Sequence, residues 1–73
     1  MNAGQEKFFN FIIGRVEKEN QEKAKALLIE SFSRQDNGTF NKEYIIDFIP
    51  RMLELIKPEL IEEVKNIMMN YQA

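Results

Sequence analysis

The residues best placed to do chemistry in this chain stand together between Ser33 and Tyr44. There Ser33, Gln35, Asp36, Asn37, Thr39 and Glu43 crowd oxygen-bearing side chains around Gly38. Side-chain oxygens at alternate positions around a glycine turn are what a hard cation such as calcium takes as ligands. The rest of the chain offers little else. It has neither histidine nor cysteine, which removes the ordinary ligands of zinc, disulfide bonds, and the Ser-His and Cys-His pairs of nucleophilic catalysis. Gly4, Gly14 and Gly38 each stand alone, so no glycine-rich loop is present to cradle a phosphate. Glu62 and Glu63 are adjacent carboxylates, but neighbours on a helix diverge by about 100°, and the pair reads as a solvated face.

Setting Gly38 at the sixth position of a twelve-position calcium loop fixes the frame. Ser33 then takes the first position, Gln35 the third, Asn37 the fifth, Thr39 the seventh, Phe40 the eighth and Tyr44 the twelfth. The segment resembles an EF-hand loop in its glycine, its Asn37, its central Phe40 and the helical patterns on either side. It departs where charge is needed, because the first, third and twelfth positions carry no carboxylate, and Asp36 and Glu43 fall between ligand positions. Two readings follow. One is a degenerate calcium- or ligand-responsive helix-loop-helix over residues 33–44. The other is a plain turn whose glycine and asparagine serve only the backbone. Ser31 and Ser33 do not resemble the attachment serine of an acyl carrier protein, since they end a helix and lack its Asp-Ser-Leu context.

The elements that must position these residues are helices. From Gln5 to Lys18, Phe8, Phe9, Phe11, Ile12, Ile13 and Val16 form a broad apolar arc, wider than one neighbour requires. A polar run from Glu17 to Lys23 predicts a short connection, with Asn20 as the cap of a second helix. That helix, over 21–34, carries Ala24, Leu27, Leu28, Ser31 and Phe32 at helical spacing. Asp36-Asn37-Gly38 predicts its end. Asn41 is placed to cap the third helix, with Phe40 and Ile45 as a hydrophobic staple. The third helix, over 42–56, is the most apolar, and Pro50 inside it predicts a kink or a break. Pro58 opens a fourth helix over 58–71, with Leu60, Ile61, Val64, Ile67, Met68 and Tyr71 on one face. No alternating strand pattern and no long internal repeat is evident. The expectation is one all-α domain over 1–73, a small bundle of four short helices whose middle pair could cross orthogonally like an EF-hand.

Charge narrows the choice of partner. The net charge is −2 with both signs interleaved, so no basic stripe is available for nucleic acid. The apolar run Phe8–Ile13 is short for a bilayer and has no features of a signal peptide, which predicts a soluble, cytoplasmic protein without membrane partners. With 44% hydrophobic residues in a small chain, dense packing or self-association must supply stability. The functional expectation is a protein-protein interaction module, homodimer or adaptor, with no catalytic centre and no cofactor. Phe9, Ile13, Ile29 and Met69 are the candidate contact residues, the first two because the apolar arc of their helix is wider than one neighbour requires, Ile29 because it lies off its stripe, and Met69 because it stands at the edge of its helix's apolar face. Met52 and Met68 read as core.

Overall fold

A computed structural model describes residues 1–70 and shows an all-α protein. Four helices, α1 (Ala3–Ile13), α2 (Gln21–Asp36), α3 (Lys42–Leu53) and α4 (Ile61–Asn70), follow one another without a strand among the described residues. Single 3-10 turns at Lys18–Asn20 and Pro58–Leu60 lead into α2 and α4. Tyr71 lies outside the described residues.

Local chemistry accounts for the starts and stops. Asn2 accepts a hydrogen bond from the Gln5 amide at 2.8 Å while the Gln5 side chain accepts from the Asn2 amide at 3.0 Å, a reciprocal cap that satisfies two otherwise orphaned donors. Asn41 caps α3 as its sequence predicts, accepting from the Tyr44 amide at 2.9 Å. Phe40 and Ile45 border one common cleft, consistent with the staple. Gly38 has a φ of +74°, the left-handed conformation that ends a helix cheaply only with glycine.

Three sequence expectations need correction. The first helix ends at Ile13, well before Lys18. Val16 is buried through an extended bridge, and because it lies four positions after Ile12 a helical stripe cannot distinguish the two cases. Asn20 makes no side-chain cap, since the 3-10 turn already aligns the chain. Helix α3 runs through Pro50 unbroken and stops at Leu53. Pro50 is exposed near the helix end, where only a few residues follow it. The inner face of α3 is formed by Tyr44, Phe48 and Met52, while Ile46 is 63% exposed.

A repeat that the sequence hides organises the whole molecule. Adding 40 to each residue number carries the helix, turn, bridge, 3-10 turn and helix of residues 11–30 onto those of residues 51–70, element for element. Over these twenty positions the identities are Glu19/Glu59, Glu22/Glu62 and Lys25/Lys65, and Phe8/Phe48 adds one more just before them. What repeats is burial: Phe8/Phe48, Ile12/Met52, Val16/Ile56, Ala24/Val64 and Leu28/Met68 all belong to one core. The two units meet at an isolated antiparallel bridge between Val16 and Ile56. Glu17 donates its amide to the Leu55 carbonyl at 3.1 Å, and Lys57 donates to the Arg15 carbonyl at 3.0 Å. The two bonds exchange under the same offset, as a local two-fold axis requires.

Candidate functional site

The loop that could have held calcium does not exist as a loop. Ser33 and Gln35, the first and third frame positions, lie inside α2, which continues to Asp36. Only Asn37 to Asn41 leave the helices, too short a stretch to wrap an ion with six or more oxygens. Thr39 turns its hydroxyl back to the Arg34 carbonyl at 3.4 Å, and Tyr44 is buried in the core. Among the described residues no group of three or more acidic side chains is placed to hold a metal. The residues that give 33–44 its cation-like composition are instead helix turns and caps.

A polar cluster joins α2 to α3. The Tyr44 hydroxyl donates to a Glu30 carboxylate oxygen at 2.6 Å, and Arg51 donates to the same oxygen at 3.1 Å and to Asp47 at 3.0 Å. Arg34 stacks its guanidinium 4.7 Å from the Tyr44 ring centre. The Tyr44 hydrogen bond, followed by the Arg51 and Arg34 charges, outweighs burial and holds the Glu30 carboxyl below its usual range. Burial first, then the Glu30 hydrogen bond and charge, pushes the Tyr44 phenol far above its ordinary value. Each member is bonded to or stacked on another, so the cluster ties α2 to α3.

A second candidate is a narrow apolar cleft of about 20 Å³, partly open to solvent and bordered by Phe8, Phe40, Ile45, Phe48, Ile49 and Met68. Its polar neighbours are already committed. Ser31 donates to the Leu28 carbonyl at 2.7 Å, and the Gln35 side-chain oxygen accepts from buried Gln5 at 3.1 Å. Among the described residues no polar side chain is left aimed into the cleft to orient a ligand.

The expected contact residues divide into two kinds. Phe9 and Ile13 are half-buried against the core, so the broad apolar arc of α1 is mostly used inside the molecule. Ile29 and Met69 are 60% and 65% exposed. They are also equivalents under the 40-residue offset, a relation the sequence did not reveal because isoleucine and methionine share only their apolar character. Ile29 borders a shallow depression with Met1, Phe32, Ser33 and Asp36. Met69 stands on the matching face of α4 in the other unit. Ile46 adds another exposed apolar side chain, and so does Ile67, which the sequence assigns to the apolar face of the fourth helix. Among the described residues no helix is long and apolar enough to cross a membrane. Comparison with protein-family models, with curated proteins and with solved structures finds no match to this chain.

Proposed function

We propose that this protein is a protein-protein interaction module, homodimer or adaptor, soluble in the cytoplasm and without catalysis or a cofactor of its own. The observation that supports this reading is the paired exposure of Ile29 and Met69 at equivalent positions of the two units. Exposed apolar side chains scattered singly need no explanation. A pair repeated by the internal symmetry, one of them flanked by Met1 and Phe32, gives the molecule two similar contact points. Methionine suits such a point because its flexible thioether adapts to different partner shapes.

Sedimentation velocity over a wide concentration range tests the homodimer form. A dimer that dissociates when Ile29→Lys or Met69→Lys is introduced supports the reading. A dimer indifferent to both substitutions removes these residues from the interface. For the adaptor form, a monomeric chain should cross-link to a partner through a photoreactive group placed at residue 29 and not through one at exposed Glu19; equal labelling at both would count against it.

A further inference from the structure

The seam between the two units is built like an interface between two molecules. It consists of a reciprocal pair of backbone hydrogen bonds, a shared apolar core, and one ion pair, Arg15 with Glu63. The Arg15 guanidinium also lies 3.9 Å from the Phe11 ring centre and donates to the Phe11 carbonyl at 3.1 Å, so it is pre-positioned on the first unit. Under the 40-residue offset the equivalents of Arg15 and Glu63 are Leu55 and Lys23, and both border one depression between the units. The two-fold relation is therefore obeyed in position and broken in charge.

That break selects a pairing. Were two first units to meet as the first meets the second, Arg15 would face Lys23. Were two second units to meet, Leu55 would face Glu63. Opposite charges come together only when a first unit meets a second, and a wrong pairing that sets like charges together, or leaves a charge unmatched, is how proteins reject partners.

We propose that this seam is itself an association surface whose partner is a second copy of the chain. The first unit of one molecule docks on the second unit of another, and Arg15 and Glu63 determine which unit pairs with which. The connector between units, Asn37–Asn41, is exposed apart from half-buried Phe40. Held by the turn at Gly38, it closes the units on each other within one chain. Opened, five residues span at most about 18 Å, enough to hand one unit to a neighbour. Exchange of this kind needs no new surface, since every contact of the closed chain is remade. A short connector gives the in-chain pairing an effective concentration on the order of millimolar, so exchange competes as the chain approaches that concentration. The proposal does not depend on Ile29 or Met69.

The test uses two full-length chains in an Ile29→Lys, Met69→Lys background, one carrying Arg15→Glu and the other Glu63→Arg. Alone, each sets like charges against each other at residues 15 and 63, within the chain and in any exchanged dimer of itself. Mixed, the exchanged heterodimer brings opposite charges together again at both of its seams, Arg15 of one chain meeting Glu63 of the other and the introduced glutamate at position 15 meeting the introduced arginine at position 63. The like-charge contacts of the closed monomers offer no such relief. Each exposed contact shifts pairing by up to roughly fivefold. Sedimentation of the equimolar mixture at several hundred micromolar should show a species of doubled mass that neither variant forms alone. A mixture that stays monomeric, or a doubled mass already present in one variant alone to the same extent, overturns the proposal. A further variant lacking Gly38 and Thr39 guards against charge variants that fail to fold. It should be dimeric with helical circular dichroism unchanged, and a monomer, folded or unfolded, counts against exchange.

Discussion

The two turns that join the helices within each unit, residues 14–20 and 54–60, follow the same backbone course with almost unrelated chemistry. The first begins with Gly14 and carries Arg15, bonded across to Glu63. The second begins with Glu54, carries apolar Leu55, and enters its 3-10 turn with Pro58. Besides the exposed Glu19 and Glu59, they share one buried β-branched residue each, Val16 and Ile56, 2% and 3% exposed, and one amide each given to the other turn. The backbone course therefore repeats here on one buried apolar side chain and a common set of backbone hydrogen bonds per turn, with most side chains different.

The equivalence is broken most severely at the core. Ile12 and Met52 are both fully buried, and Ile12→Ala or Met52→Ala should each cost about 2–5 kcal/mol, comparable to the whole stability of so small a domain. Because both belong to one core, urea unfolding of either variant should remain a single transition. A two-step curve would show units that fold separately. Next come the bridging amides. Glu17 and Lys57 both have φ of −57°, which proline accepts, so Glu17→Pro and Lys57→Pro remove one hydrogen bond apiece with little backbone strain. Each should cost about 1–3 kcal/mol for a carbonyl left without its donor. Unequal losses measured by denaturant midpoint would mean that the two turns are not equivalent.

The glycines sharpen the contrast at a smaller scale. At Gly38 the positive φ makes Gly38→Ala destabilising by about 1–2 kcal/mol. At Gly14 φ is −69°, and an added methyl would meet only ordinary contacts at 3.5 Å and beyond, so Gly14→Ala should stabilise by about 0.4–1 kcal/mol. Thermal melts of the two variants should move in opposite directions. The smallest effect at neutral pH belongs to Glu30 and Tyr44. The Glu30 carboxyl is depressed in the fold, so its contribution is present above its unfolded pKa near 4.5 and fades as pH falls through the folded value. Because its side chain is 42% exposed, solvent screens much of it. The Tyr44 phenol is raised, so the stability it adds is present below its unfolded pKa near 10.0 and fades as pH rises beyond it. Tyr44→Phe should flatten the melting temperature against pH on both flanks.

The sequence made some of this legible and concealed the rest for definite reasons. The stripe Ala24, Leu27, Leu28, Ser31 and Phe32 is buried throughout, because a long regular helix carries its period in plain view. Asn41 and Gly38 were readable because caps and positive φ demand particular residue types. The turns at Val16 and Ile56 were not, since an i+4 spacing is shared by a continuing helix and by this bridge. The internal repeat was masked because the buried positions exchange Ile for Met and Ala for Val, which preserves packing while erasing identity. Of the candidate contact residues, Ile29 and Met69 proved accessible. Phe9 and Ile13 turned inward because α1 packs on its neighbours over a wider arc than one stripe suggests.

The bridge also bears on the order in which the chain acquires its structure. It joins residues forty positions apart, whereas each pair of helices within a unit closes over a turn of seven residues. Short closures cost less entropy and are reached sooner than long ones. The helix pairs should therefore form early, and the Val16–Ile56 contact should form after the rate-limiting barrier. Truncation of either residue is then expected to accelerate unfolding while leaving the refolding rate nearly unchanged, so the joint between the units would govern how long the folded molecule lasts more than how quickly it assembles.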